Sequence, residues 1–492
     1  MLCNRLLDEN YTRNHMMDRS SDLAVDRQEN RPTSNLQWKH SLRQIIACVI
    51  AHSISIPAGI NLAFSAILLP QLHNSGDIHI TTSEASWIAS LVTISLPIGT
   101  VLIGVLMDRF GRKKGCMLTT IFFAIAWIVT GTAKNVWTIY CGRLLAGFAS
   151  GLTTVSVVYI CEVTHPNFRP MLLGLTSVYV SLGILLTCVL GYWCNWRVMC
   201  YVYLFLEVII FVFLFFIPES PYWLVIFRND KSNAVKSLRW LYKEAEAYNN
   251  ESHQLLTTDL KQDSEIPPQE EFNLFKLRCY RSPAVYKPFA ILALLFIIQQ
   301  LTGAYVIIFY AVDIFVSIVG ESKTAVNEYV ALLILGVIRF VASVISALVS
   351  KRIGRRSLMF ISGVGMCISS LTAGLYIQLN EGKVGYDQNV PIICLLSYVS
   401  FGSVGYLLIP WTLIGELLPV RVRGKLGSFL IGLAYVYMFG VVKVFPFIID
   451  SVKLQFIFCT FAIVNVVGVG FVYYFLPETL GKRFSEIEKE FL

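Results

Sequence analysis

Two stretches of this sequence set basic and acidic residues at spacings that suit ion pairing between helix ends. Asp108-Arg109-Phe-Gly-Arg112 is followed by Glu162 and Arg169, and Arg352 and Arg355 are followed by Glu416 and Arg423. Partly desolvated pairs hold helix ends more firmly than exposed ones, although each ion costs desolvation. The same charges equally suit anchors at a lipid headgroup layer. A third group comprises Gln299, Gln300, Tyr305, Arg339 and Trp411. Amides and hydroxyls accept and donate at once, and an aromatic face suits the C–H side of a ring, so this set could hold a polyhydroxylated solute. A Gln pair inside a helix also serves helix–helix hydrogen bonding, and Trp411 also fits an interfacial aromatic belt.

None of this is catalytic chemistry. The sequence carries no nucleotide-binding loop, metal-ligand cluster or nucleophile–base set, and predicts neither an enzyme nor a cofactor. Gly363-Val-Gly365 lies inside an apolar run with no strand before it, where small residues serve packing. The 12 cysteines are scattered without a CxxC pair, mostly in apolar runs, and read as buried free thiols. Cys188 and Cys194 alone fall near one membrane face, where a bridge is conceivable.

The elements that must position these groups follow from composition. Of 492 residues, 55% are hydrophobic and 15% charged, against about a quarter charged in soluble proteins. A spanning helix takes about 20 apolar residues. Runs of that order fall at 45–68, 86–106, 116–134, 138–160, 171–192 and 196–217, then at 288–312, 326–349, 357–378, 390–414, 426–448 and 454–476. The fold class is an all-α membrane protein of 12 transmembrane helices, whose partner is the lipid bilayer. The net charge of +8 fits basic loops on one face and suggests no nucleic-acid partner. Residues 1–43 form a polar tail, 44–227 a first six-helix half, 228–287 a polar connector helical near Ala234–Glu246, 288–480 a second half and 481–492 a short tail.

Charge also sets orientation. Arg109, Arg112, Lys113 and Lys114 follow span 2; Lys351, Arg352, Arg355 and Arg356 follow span 8; Arg421, Arg423 and Lys425 follow span 10. The loop between spans 1 and 2 has Asp77 and Glu84 and no Lys or Arg. The positive-inside rule puts both termini and the connector in the cytosol, so the sequons at Asn10 and Asn250 should stay unglycosylated. No h-region opens the chain, and no cleaved signal peptide is expected.

The halves repeat each other. Asp108-Arg-Phe-Gly-Arg-Lys is echoed by Lys351-Arg-Ile-Gly-Arg-Arg, Glu162 with Arg169 by Glu416 with Arg423, and Pro218-Glu-Ser by Pro477-Glu-Thr. The offsets of 243, 254 and 259 residues point to a duplicated six-helix unit. Two such halves facing each other make a transporter with its site near the midplane.

With these motifs in place, the chain resembles the sugar porter family of the major facilitator superfamily, and within it the insect facilitated trehalose and hexose transporters. The resemblance runs from about Ser41 to Glu488 and rests on Asp108–Lys113, Gly142-Arg143-Leu-Leu-Ala-Gly147, Tyr159-Ile-Cys-Glu162 with Arg169, Pro218-Glu-Ser-Pro221, Gln299-Gln-Leu-Thr-Gly303, Gly354-Arg-Arg356, Pro410-Trp411, Glu416 with Arg423, and Pro477-Glu-Thr479. It implies the major facilitator fold, two pseudo-symmetric halves, a plasma-membrane location and facilitative transport of a sugar, trehalose or a hexose, by alternating access. It further implies a gating ion network of Asp108, Arg109, Arg112, Glu162, Arg169, Arg352, Arg355, Glu416 and Arg423. Gln299, Gln300 and Trp411 match sugar-contacting positions.

The chain also departs from the family. Pro170, Tyr222 and Lys351 replace a Gly, an Arg and an acid, which should weaken the network. Tyr305 and Arg339 replace Asn, Ser177 replaces Gln, and Ala434-Tyr435 replaces an Asn-Trp pair. Leu407-Leu408 stands where a Gly-Pro pair loosens span 10, predicting a helix that hinges less easily. Arg339 lies 15 residues before Gly354, about 22 Å along a helix and so deep in a hydrocarbon core of about 30 Å. Charge there is costly, and Glu207 or Asp313 is the expected partner; the alternative is selection of an anionic solute. Span 1 offers Asn61 and His52 but no acid, which favours uncoupled transport. A carrier of a non-sugar, anionic solute and a sensor that binds without cycling remain alternatives.

Overall fold

The computed structural model describes residues 42–75, 78–164, 169–242, 282–319, 328–349, 353–380, 389–480 and 490–491. Most of both tails, most of the connector and both sequons lie outside these, as do the side chains of residues 74, 75, 169–171, 319, 328 and 420–425.

Among the described residues twelve helices are long and apolar enough to cross a membrane, at Leu42–His73, Thr82–Phe110, Arg112–Gly131, Val136–Val163, Leu172–Trp193 and Trp196–Leu214, then Pro283–Leu301, Tyr329–Val349, Arg355–Leu379, Asn389–Leu417, Leu426–Ser451 and Leu454–Phe475. Each coincides with one of the apolar runs, and they are numbered here as spans 1 to 12. Span 2 begins four residues before its apolar run because Thr81 and Glu84 form a capping box that satisfies the first backbone N–H groups. Of the connector, Lys231–Leu241 is helical, capped by Asp230.

Four spans are interrupted, and they are every third one. Span 1 divides into Leu42–His52 and Ser55–Ser75, and span 4 into Val136–Leu152 and Thr154–Val163. Span 7 continues beyond Leu301 as Ala304–Phe309 and Ala311–Val319, and span 10 divides into Asn389–Val404 and Ile409–Leu417. The break in span 7 turns on Gly303, at φ +79°, a left-handed conformation in which an added Cβ would meet the Phe461 ring at 2.2 Å. Span 10 is interrupted even though Leu407-Leu408 stands at the break. Its backbone leaves the helix over residues 405–408, and Pro410, which cannot donate a backbone bond, opens the next segment. Irregular backbone inside a bilayer survives only where protein or a cavity satisfies it.

Within the first half span 2 packs on span 4 and span 1 on span 5; in the second, span 9 packs on spans 10 and 12. The halves meet through spans 2 and 11 and, symmetrically, through spans 5 and 8. At the first junction Ser86 Oγ donates to the Lys443 carbonyl at 2.6 Å and the Lys443 ammonium lies 3.8 Å from the Trp87 ring centre. At the second the hydroxyls of Ser181 and Ser343 are 2.6 Å apart.

Candidate translocation site

The basic end of the bundle carries the same construction twice. In the first half Arg112 Nε and Nη2 donate to Glu162 at 2.9–3.1 Å, Nη1 donates to Asp108 at 3.2 Å, and the Ser220 hydroxyl donates to Glu162 Oε2 at 2.5 Å. In the second, Arg355 Nε and Nη2 donate to Glu416 at 3.2 and 3.0 Å, and Thr479 Oγ1 donates to Glu416 Oε2 at 2.5 Å. A second acid caps the following helix each time. Glu219 accepts the backbone N–H groups of Arg112 and Lys113 at 2.9 and 3.0 Å, and Glu478 those of Arg355 and Arg356 at 2.9 and 3.2 Å. Negative charge is favourable at a helix N-terminus. Burial nonetheless pushes the Glu219 carboxyl above the ordinary carboxylate range, with the backbone donors pulling it back. The glycines of the two motifs make room: a Cβ at Gly111 would lie 2.4 Å from Glu219 Oε2, and one at Gly354 2.0 Å from Glu478 Oε2.

The departures therefore do not dissolve the pairs. Tyr222 replaces an Arg, yet Arg112 keeps both its acids, because Ser220 and Asp108 already complete the shell. Arg109 stands apart: it is exposed, lies over the Phe110 ring at 5.5 Å and makes no ion pair among the described residues. Arg352 and the side chains of Arg169 and Arg423 lie outside the described residues.

The second group gathers at the centre, where spans 7 and 10 break. Gln299 is fully buried, and its Nε2 donates to the Tyr406 carbonyl at 2.5 Å, satisfying backbone that the interruption of span 10 frees. Gln300, also buried, donates to Gln299 Oε1 at 3.5 Å. Trp411 Nε1 donates to the Tyr305 hydroxyl at 3.1 Å, and the indole packs edge-on against Phe296 and tilted against Tyr435, at 5.0 and 5.2 Å between centres. Tyr435, counted among the departures, thus rebuilds part of the aromatic wall. Ser177 spends its hydroxyl on its own helix, donating to the Gly174 carbonyl at 3.2 Å.

Arg339 faces the interior, as its depth predicts, and is 5% exposed. The expected partners are wrong. Neither Glu207 nor Asp313 pairs with it: Glu207 is buried in the first half with no hydrogen-bond partner for either oxygen, and Asp313 lies at the opposite end of the bundle from the basic loops. Sequence spacing gives the depth of a side chain in a span but not the direction in which it points. Cys188 and Cys194 are free thiols, and Gly363 and Gly365 are interior positions of span 9.

One residue quoted in a motif without a role proves central to the first half. Arg143 is 1% exposed and donates to the Ile88 carbonyl at 3.1 Å, to Asn61 Oδ1 at 2.7 Å and its carbonyl at 3.3 Å, and to Ser65 Oγ at 2.5 Å. Asn61 Nδ2 in turn donates to Ser150 Oγ at 3.1 Å. The guanidinium ties together spans 1, 2 and 4 with neutral acceptors alone. A charge within an apolar run was the available signal. Beyond this, a cavity of about 370 Å³ opens at the end opposite the basic loops, between spans 1, 2, 7 and 11, with His73, Tyr310, Asp313 and Asp450 on its wall. The central group does not line it.

Residues 27–491 match the family model described as sugar (and other) transporter. Over 413 residues, covering 83% of this chain and 79% of the relative, the sequence is 32% identical to a facilitated trehalose transporter Tret1 of Bombyx mori. It is 30% identical over 467 residues, 94% of this chain and 90% of the relative, to a protein of the same name from Polypedilum vanderplanki. The fold resembles the proton:xylose symporter XylE bound to 6-bromo-6-deoxy-D-glucose, with TM-score 0.72, 20% identity, and 92% of this chain and 100% of that chain covered. It also resembles XylE from E. coli in an inward-open conformation, with TM-score 0.71, 20% identity, and 90% and 98% covered.

Proposed function

This chain belongs to the sugar (and other) transporter family, and we propose that it carries a sugar, trehalose or a hexose, down its gradient by rocking two six-helix halves about a central site. One observation carries the mechanism. Each half is closed at its basic end by its own network, while the halves join through the symmetric span pairs 2/11 and 5/8 around interrupted spans 1, 4, 7 and 10. Two bodies that are internally rigid and joined at two related seams can exchange which seam end is open. Trp411 and Tyr305 take the ring face and hydroxyls of the sugar, with Gln300 as a further donor; Gln299 holds span 10 open at its break. Asp108, Arg112, Glu162, Arg355 and Glu416 form the gate at the basic end, joined by Arg169, Arg352 and Arg423. The basic end faces the cytosol with both termini, and the cavity at Asp313 and Asp450 is the outer vestibule of a plasma-membrane carrier.

Asn61 supports uncoupled transport. It occupies the place beside Arg143 where an acid would supply a proton-linked switch, and an amide does not titrate. The test is labelled trehalose and glucose uptake in oocytes expressing the chain, with Trp411→Ala alongside. Saturable uptake of either sugar that ignores external pH and falls about tenfold or more in the variant is the expected result. A surface-resident protein that takes up neither would overturn it.

A further inference from the structure

Two arginines are buried deep in the bundle, and only one is satisfied. Arg143 donates to acceptors on spans 1 and 2 through three of its nitrogens. Arg339 is comparably buried, yet its Nε and Nη1 have no acceptor and no carboxylate pairs with it among the described residues. Cys188 packs against span 8 one turn before Arg339, where a Cβ at Gly336 would lie 3.0 Å from its Sγ, and the Tyr305 hydroxyl lies within electrostatic reach of the guanidinium. A buried donor left unpaired is costly, and a charge at membrane depth more so.

The position of this charge matters as much as its burial. Ser343, one turn further along span 8, meets Ser181 of span 5 across the junction of the halves at 2.6 Å, and Cys188 belongs to the same span 5. Arg339 therefore sits where the halves move against each other. Tyr305, within electrostatic reach of it, accepts the indole N–H of Trp411 at 3.1 Å. The aromatic plate meets this hydroxyl directly, and the Arg339 charge lies within electrostatic reach of it.

We propose that this site takes an anionic sugar, a sugar acid of the uronate class, with its ring against Trp411 and its carboxylate on Arg339. The inference rests on the sugar-carrier reading and names a substrate class for the same site. A guanidinium suits a carboxylate in charge and in planar geometry, and the pair removes the unpaired charge only while substrate is bound.

The full chain in proteoliposomes, in chloride-free methanesulfonate buffer, decides it through competition against labelled glucose uptake by glucuronate and by its neutral isostere glucuronamide. Glucuronate should compete about tenfold better than the amide in the native protein. Arg339→Gln should abolish that preference, and Arg339→Lys, which replaces the planar fork with a point charge, should shrink it severalfold. The preference is a ratio, so it is read independently of each variant's uptake rate. If Arg339→Gln does not fold, the native protein and the Lys variant carry the test. Equal competition by acid and amide, or a preference undiminished in either variant, overturns the proposal. So does chloride or phosphate competing as well as glucuronate, which would assign the charge to a free inorganic anion. Neutral-sugar uptake without the preference defeats this inference alone; no uptake of glucose, trehalose or glucuronate defeats the carrier reading with it.

Discussion

The buried arginines of the first half find acceptors at both depths, and the interior arginine of the second half does not. At the basic end Arg112 pairs with Glu162 and Asp108 and its side chain is 6% exposed, whereas Arg355 pairs with Glu416 and its side chain is 20% exposed. In the interior Arg143 donates to neutral acceptors on spans 1 and 2 through three of its nitrogens, whereas Arg339 keeps two nitrogens without any. Duplication supplied both halves with the same frame, since Glu219 and Glu478, Ser220 and Thr479, and Gly111 and Gly354 do matching work. The difference teaches that burial alone says little about an ionisable residue. What separates a structural arginine from one free to meet a ligand is the count of acceptors around it.

The comparison can be broken by substitutions on each side of it. The largest effect is expected from Arg143→Leu, which strands the acceptors on Asn61 and Ser65 that now share one guanidinium. Each buried group left unpaired costs about 1–3 kcal/mol, so folded protein recovered from membranes should fall about tenfold or more, read by size-exclusion of a fluorescent fusion. Unchanged recovery would deny Arg143 its structural role. Next comes Glu162→Gln, which leaves the buried Arg112 with Asp108 alone; uptake should drop about tenfold. Glu416→Gln should cost about threefold, because water reaches Arg355 and screens the loss. Equal losses in the two variants would erase the asymmetry proposed for the two ends.

Two smaller effects sharpen it. Asn61→Asp places a carboxylate against the Arg143 guanidinium, now 2.7 Å from Asn61 Oδ1. Ionised, it would pair with Arg143 and hold spans 1 and 4 together; protonated, it would resemble the native amide. Uptake by this variant should fall about threefold from about pH 5 to about pH 8, while the native protein stays flat. A variant as flat as the native chain would remove the argument that Asn61 sets uncoupled transport. Lys351→Asp restores on sequence spacing the i,i+4 acid that Asp108 supplies to Arg112. A single added ion pair outside the core is worth well under about 1 kcal/mol, so a change in uptake below about twofold is expected.

Much of this architecture was legible in the sequence. Apolar runs mark all 12 spans because a bilayer demands length and hydrophobicity from each segment separately. The paired networks were legible because charges beside apolar runs are conspicuous and occur twice. The breaks in spans 1, 4, 7 and 10 were not, since an apolar window of about 20 residues is blind to local backbone. Gly303 was the best available sign of one break, and at another residues 405–408 unwind with Leu407-Leu408 in place. Gln299 shows a different limit. Its type suits a sugar and a helix contact equally, and only the freed Tyr406 carbonyl reveals that its amide is already committed. Arg339 was placed at the right depth and given the wrong partners, because the direction of a side chain around a helix depends on packing that spacing does not record.

The central claim is a carrier that moves sugar by exposing one site alternately to two sides. Entrance counterflow tests it most directly: proteoliposomes of the full chain are preloaded with unlabelled trehalose or glucose, and labelled sugar is added outside at trace concentration with no proton gradient. Transient accumulation of label above equilibrium, of the same height at acid and neutral external pH, is the predicted result. Label that never exceeds equilibrium with either sugar, or overshoots only under an inward proton gradient, would contradict the account.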